Sequence, residues 1–443
     1  MDAATITKPA AKIGLVTAIA IVVANMVGVG VFGSLGFQVL GIPTGFPIIL
    51  LWVLGGIISF CGAVCYAELA SMFPKSGGEY HFLTQAWNPF IGFLSGWLSV
   101  TVGFAAPVAA NAVLLGTYLG NIFDLPPLAF SLPVVLMVSC IHLGKMTNIG
   151  RFQSWFTYSK VALIIALGLL GFFIGKAQPI SFLPQVGDGE LIASKSFAIS
   201  LVFVLYAYTG WNAATYMMDE VKNPTRTVPL AILAGTGIVT VLYVFINAAF
   251  LYSTPVDAMA GEAEVGFIAA KAILGESGGK VMGVLISFGL ISTISSMTWA
   301  GPRVTAAIGR DHRSFSILAR TNRNGVPALA VLLQTIIVIV LVFSATFEQL
   351  LLYIQALLTI SSLMVVAGMV WLRIRRPDIK RPYRAWGYPL TPLIFAGLSL
   401  YVLWFQLQEK TTEFLYGLAT LAIGVVIYFI AKRFDGTEKT AKS

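Results

Sequence analysis

Along the 443 residues, apolar stretches of helical length alternate with short segments marked by Gly, Pro and charge. Twelve runs fit this description, near 13–38, 46–70, 88–120, 128–144, 152–175, 196–218, 230–252, 279–306, 327–345, 349–372, 389–407 and 413–431. A helix needs roughly 20 apolar residues to cross a bilayer, and the runs cluster around that length. The third and eighth are longer than the roughly 25 residues of a long span, which predicts strong tilt or projection past the bilayer. The pattern predicts an all-α polytopic membrane protein with twelve transmembrane helices.

Composition narrows the class. Apolar residues make up 57% of the chain and charged residues 11%, with a mean hydropathy of +0.86. Ordinary soluble domains are about 25% charged. The balance excludes a soluble enzyme, a nucleic-acid-binding module and a disordered chain. The net charge of +9 is informative only through its placement, because Lys and Arg gather on the cytoplasmic side.

With the N-terminus inside, 21 of the 28 Lys and Arg fall on one face. They are Lys8, Lys12, Lys75, Lys145, Arg151, Lys222, Arg226, the group from Arg310 to Arg323, the group from Arg373 to Arg384, and Lys432, Arg433, Lys439 and Lys442. The other face holds Lys176, Lys195, Lys271, Lys280 and Lys410, while Lys160 and Arg303 lie inside runs. Both termini are therefore predicted to be cytoplasmic, in a cell membrane, and no nucleic-acid partner is expected. Lys8 and Lys12 precede an apolar run with no small-residue cleavage site, so no cleavable signal is expected. Cys61, Cys65 and Cys140 all lie in apolar runs, which shows no disulfide framework.

Two runs are interrupted. The first reads Asn25-Met26-Val27-Gly28-Val29-Gly30-Val31-Phe32-Gly33, and the sixth Leu205-Tyr206-Ala207-Tyr208-Thr209-Gly210-Trp211-Asn212. A dinucleotide loop of the form G-x-G-x-x-G needs a preceding strand, which a membrane run does not offer. Glycines for close helix packing are the plainer alternative. Runs one and six are equivalent if runs 1–5 and 6–10 form two repeats, and paired interruptions mark a transporter's central site. Amides opening one half-helix suit a carboxylate, and carbonyls ending the other suit an ammonium. A site with both suits an amino acid.

These residues resemble the amino acid–polyamine–organocation superfamily, and within it bacterial amino acid permeases similar to the light subunits of L-type exchangers. Gly28-Val29-Gly30-Val31-Phe32 matches the pattern G-[SA]-G-[IV]-F. Tyr66-Ala67-Glu68-Leu69 and Phe73-Pro74-Lys75-Ser76-Gly77-Gly78-Glu79-Tyr80 follow in family order. Next come Ala207 to Asn212, Glu220-Val221-Lys222-Asn223-Pro224, and Arg303 with Gly309-Arg310-Asp311. The resemblance implies the LeuT-like fold of two inverted five-helix repeats, over 1–195 and 196–388, plus two C-terminal helices and a tail over 389–443. It implies sodium-independent, non-enzymatic transport of amino acids, with no cofactor or metal.

By position, the resemblance implies that the amides of Val29, Gly30 and Val31 hold the substrate carboxylate. The carbonyls of Met26, Tyr206, Ala207 and Thr209 would hold its amino group, with Tyr206 as an aromatic lid. Asn25 and Asn212 match polar positions near the breaks. Val29 stands where Ser or Ala is usual, which narrows the site and favours small neutral substrates. Larger neutral or cationic amino acids, polyamines, and an amino acid sensor on the same fold are the alternatives. His312 and Phe315 replace a Gly and a Pro of the family's Arg-Asp-Gly-x-x-Pro, which predicts a differently shaped hinge. The family's light subunits bond to a heavy chain through an external cysteine; the corresponding Gly120–Pro127 stretch has none, so no disulfide-linked partner is expected.

Lys160 lies nine residues past Arg151, about 13 Å along a helix, which places it near mid-bilayer. Such an ammonium costs roughly 2.5–3.5 kcal/mol and marks a functional site by default, with snorkelling as the alternative. The resemblance places a lysine here where sodium-coupled relatives hold sodium. Ser292, Thr293, Ser295 and Ser296 supply candidate hydroxyl partners, although such groups also back-bond to their own helix. Exchange and proton symport both stay open. Glu68, Asp219 and Glu220 are expected to be solvated or to anchor loops, and Arg303 to snorkel. His81 and His142, at loop edges, lack the companions of a metal site. Too few buried acids and bases exist for an intramembrane enzyme, and no polar ring or filter repeat suggests a channel.

Overall fold

The computed structural model describes residues 13–144 and 149–440, with side chains omitted for 149–154 and 435–440. Lys8, Lys12, Lys145 and Lys442 lie outside the described residues, as do the side chains of Arg151 and Lys439. Apart from one isolated bridge, every regular element among the described residues is a helix.

The first run divides into α1 (Leu15–Met26), α2 (Val29–Gly33) and α3 (Leu35–Val39). α4 (Gly45–Met72) is the second run, and α5 (Glu79–Ala86) lies in the loop after it. The third run is α6 (Pro89–Leu98) and α7 (Ala106–Phe123), joined by a π-helical segment, Ser99–Ala105. α8 (Leu128–Leu143) and α9 (Ile149–Phe173) follow, then the short α10 (Asp188–Ile192). α11 (Lys195–Ala207) stops at the second interruption, and the chain resumes as a 3-10 helix, Ala213–Glu220. α12 (Pro224–Ser253), α13 (Val256–Met259) and α14 (Val265–Asp311) come next. α15 (Ala328–Ser344), α16 (Phe347–Arg375), α17 (Leu390–Glu409) and α18 (Thr411–Thr440) complete the chain.

Nine stretches among the described residues are long and apolar enough to cross a membrane. The other three predicted runs coincide with the shorter apolar helices α8, α11 and α15. α11 is short because the chain leaves helical geometry at Tyr208–Asn212. α14 is longer than the eighth run because Gly275, at φ 76°, joins a preceding helical segment to the one that holds the run. A left-handed φ of this kind suits a residue without Cβ.

α1 packs between α9 and α12, while α14 packs on α7 and α9, so the two interruptions sit inside the bundle. α17 and α18 pack against α16 and expose Leu393, Leu400, Tyr416 and Phe429. An apolar outer surface of this kind is what lipid solvates.

At the predicted cytoplasmic end of α4, Glu68 is fully buried rather than solvated. Both nitrogens Nε and Nη2 of Arg373 donate to its carboxylate, Arg381 Nε lies 3.3 Å from Oε1, and the Ala385 amide donates to Oε2 at 2.7 Å. Glu68 thus fastens the α16–α17 loop to α4, which selects the loop-anchoring expectation. Cys61 and Cys65 are buried in α4, whereas Cys140 is exposed on α8.

Candidate functional site

A helix broken inside a membrane needs partners for its loosened carbonyls. α1 ends at Met26; Val27 is extended and Gly28, at φ −139° and ψ −148°, is also non-helical before α2 begins. Side chains from three other helices meet these ends. Lys160 of α9, 3% exposed, donates to the carbonyls of Ala24 at 3.1 Å and Val27 at 2.9 Å, and to Thr293 Oγ1 at 2.9 Å. Thr293 of α14 in turn donates to the Val27 carbonyl at 3.2 Å. The Tyr243 hydroxyl of α12 lies 2.6 Å from the Met26 carbonyl and 3.1 Å from that of Ala207, so it bridges the two interruptions. A cation at a helix C-terminus also meets the negative end of the helix dipole.

Only Thr293 of the four candidate hydroxyls reaches Lys160. Ser295 lies 2.9 Å from His142 Nε2, Ser296 lines a cavity, and Ser292 Oγ is buried without a partner. Each residue of a helix turns by about 100°, so four near neighbours cannot share one partner. Lys160 faces inward rather than snorkelling. His142, expected at a loop edge, is 5% exposed and packed through Ser295 onto α14.

Close contact between the breaks depends on glycine. A Cβ on Gly30 would lie 2.4 Å from Ala207 Cα, and one on Gly210, at φ 97°, would lie 2.7 Å from the Asn25 carbonyl oxygen. Glycine therefore serves both packing and backbone opening here. The amides of Val29, Gly30 and Val31 open α2, and Gly28 before them has no side chain with which to cap them. Of the carbonyls assigned to the amino group, Met26 and Ala207 accept from Tyr243, and Tyr206 accepts from Thr209 N and Oγ1 at 2.9 and 2.7 Å. The Met26 and Ala207 carbonyl oxygens keep a second lone pair for a further donor, whereas the two Thr209 donors take both lone pairs of Tyr206.

A cavity of about 410 Å³ lies directly beside the breaks. Ile13, Thr17, Ile21 and Asn25 form one stripe of its wall, at the four-residue spacing of a helix face, and Thr209 to Ala213 form another. The 3-10 segment, α14, the π-helical segment through Gly103 and Phe104, Glu79, Pro107 and α16 through Leu358 and Ser362 complete it. Thr209 is the one predicted substrate residue that lines it; Met26, Val29, Gly30, Val31, Tyr206 and Ala207 are buried and do not. The cavity runs from Asn25 toward exposed Arg303 and half-buried Glu220, on the face assigned to the cytoplasm.

The opposite side is closed. Phe37 stacks on Phe203 at 5.2 Å and meets Phe347 at 6.2 Å, and the Gly261 amide donates to the Gly36 carbonyl at 2.9 Å.

Three further residues shape the site, Tyr243 at the breaks and Arg303 and Glu79 in the cavity wall, and the sequence pattern gave none of them this role. Tyr243 gave no polar signal within an apolar run. Arg303 lines the wall with its guanidinium 3.8 Å over the Trp299 ring. Glu79, a motif residue in the loop, is buried. Its Oε1 accepts from Tyr66 at 2.5 Å and Asn212 at 3.1 Å, and its Oε2 accepts from Ser361 at 2.5 Å. Glu79 thus joins α4, α16 and the segment after the second break. At the altered hinge, His312 and Phe315 pack with Phe93 at 5.1 and 5.7 Å, filling it with rings from α6.

Two broken helices that meet beside a cavity closed on one face of an apolar bundle define a membrane carrier's architecture. The chain belongs to the amino acid permease family, whose model matches residues 13–428. It is 27% identical over 435 residues to the b(0,+)-type amino acid transporter 1 of Mus musculus, covering 95% of this chain and 87% of that protein. The human protein of that name is 25% identical over 449 residues, covering 97% and 90%. The Large neutral amino acids transporter small subunit 2 of Oryctolagus cuniculus is 28% identical over 446 residues, covering 95% and 80%. The family and these relatives are amino acid transporters, not enzymes.

Proposed function

We propose that this chain is a sodium-independent secondary transporter of small neutral L-amino acids, working by alternating access in the cell membrane with both termini cytoplasmic. The twelve runs would form two inverted five-helix repeats, 1–195 and 196–388, followed by 389–443. The observation that carries the reading is the Lys160 ammonium on two carbonyls of the first break and on Thr293. A fixed cation there supplies the positive charge that a bound monovalent ion would otherwise bring. The amides of Val29 to Val31 would take the substrate carboxylate, and the carbonyls of Met26, Tyr206, Ala207 and Thr209 its ammonium, with Tyr206 as lid. The cavity then represents the inward-open state.

A second reading, transport of larger neutral amino acids, is favoured by the cavity's volume and by the name of one relative. Although that relative is named a small subunit, we infer that this chain works without a disulfide-linked heavy chain, since the Gly120–Pro127 stretch lacks cysteine.

Reconstitution of this chain alone into liposomes tests these points together. Preloaded alanine or serine should drive counterflow of the labelled amino acid equally well in sodium and choline buffers. Strict sodium dependence would overturn the role given to Lys160. Absence of counterflow with any of the common amino acids would overturn the transport reading. Preference for leucine or phenylalanine over alanine selects the second reading, and stimulation by an inward proton gradient selects symport over exchange.

A further inference from the structure

The mouth of the cavity holds two opposite charges, Arg303 and Glu220, that form no ion pair among the described residues. Arg303 lies ten residues past Thr293 on α14, about 15 Å toward the mouth at 1.5 Å per residue. Its guanidinium stacks on Trp299 and donates through Nη1 to the Trp299 carbonyl at 2.6 Å. That engages one of five N–H groups in a fixed fork suited to a carboxylate. Among the described residues no carboxylate forms an ion pair with Arg303.

Glu220 lines the same cavity and likewise forms no ion pair among the described residues. Its backbone is pinned there, since its carbonyl accepts from the Ile13 amide at 3.1 Å. The third charged residue of the wall differs: Glu79 is satisfied by hydroxyl and amide donors from Tyr66, Asn212, Ser361 and Ser362. Two charges of opposite sign, each felt by the other but joined in no ion pair among the described residues, therefore face one cleft. Within low-dielectric walls such charges focus the field and raise the local concentration of a complementary ligand. A cavity of about 410 Å³ also lies within the range of small-molecule sites, roughly 300–1,000 Å³.

We propose that this mouth is a second amino acid subsite, in which Arg303 takes the carboxylate and Glu220 the α-amino group of a substrate passing between the breaks and the cytoplasm. It rests on the transport reading above. A zwitterion answers both charges without adding net charge, whereas a simple anion or cation answers one and repels the other. The subsite would act from one face only, lowering the concentration of cytoplasmic substrate needed to load the inward-open carrier.

The test measures half-saturation from each face in proteoliposomes of sorted orientation, using labelled alanine or whichever amino acid the unmutated chain carries best. In Arg303→Gln and in Glu220→Gln the ratio of internal to external KM should rise about tenfold. Arg303→Lys, which keeps the charge without the fork, should fall between. A ratio unchanged in both variants, or equal losses at both faces, overturns the subsite and leaves the two residues as solvated or structural charges. Should Arg303→Gln fail to fold, Glu220→Gln alone decides. An unmutated chain that moves no amino acid is a different result, which overturns the transport reading itself.

Discussion

Lys160→Met slows amino acid counterflow at least about tenfold. The substitution keeps an apolar stem of similar length and removes the ammonium that serves Ala24, Val27 and Thr293. A buried acceptor left without its donor costs about 1–3 kcal/mol, and the Ala24 carbonyl loses its ammonium donor here. The Val27 carbonyl keeps a bond from Thr293 at 3.2 Å, so part of the break stays supported. A loss of about 1.4 kcal/mol in the rate-limiting step already gives a factor of ten. Initial rates in proteoliposomes, normalised to folded protein by size-exclusion recovery, provide the check. Rates within twofold of the unmutated chain would remove Lys160 from the mechanism.

Gly30→Ala is expected to be nearly as damaging, and for a steric reason. Its new methyl would lie 2.4 Å from Ala207 Cα and 3.2 Å from Ala207 N. These are backbone atoms, so no rotamer change relieves the overlap and the half-helices must separate. Overpacking costs about 1–3 kcal/mol and here falls on the proposed binding geometry, so transport drops at least about tenfold. Ala207→Gly should not rescue it, because the nearest atom, Cα, remains. Gly28→Ala is the control: its nearest neighbour would be a side-chain methyl, Thr293 Cγ2, at 3.3 Å. Equal counterflow by the Gly28 and Gly30 variants would falsify this account.

The physical pattern explains what could be read from the chain. Apolar runs and Lys/Arg asymmetry are local signals, and the helices lie where those runs do. Lys160 stood out because a charge within apolar residues has few explanations, and the glycines of the breaks because they punctuate otherwise continuous helices. The partner of Lys160 was narrowed only to four hydroxyls, since choosing among them needs the rotational phase of α14. Tyr243 gave no signal, because one more aromatic in an apolar run resembles packing until its hydroxyl is seen on Met26 and Ala207. Glu68 could not be matched to Arg373 and Arg381, about 300 positions away, because a pairing of that separation leaves no trace in one sequence. Glu79 was legible as a motif member but not as a joint among three elements.

The isolated bridge carries a mechanical consequence. Ile13 N donates to the Glu220 carbonyl at 3.1 Å and Lys222 N to the Ile13 carbonyl at 2.9 Å, so the outer end of α1 is bolted to the end of the 3-10 segment. Each arm is also jointed at its inner end, one at Gly28 and the other at Gly210. Two arms pinned together at one end and jointed at the other form a closed linkage, and neither can swing alone. If the cavity closes by movement of α1, the 213–220 segment must travel with it as one lever. A spin-label pair at 16 and 219 would then hold its separation through the cycle, while either label would shift against α16.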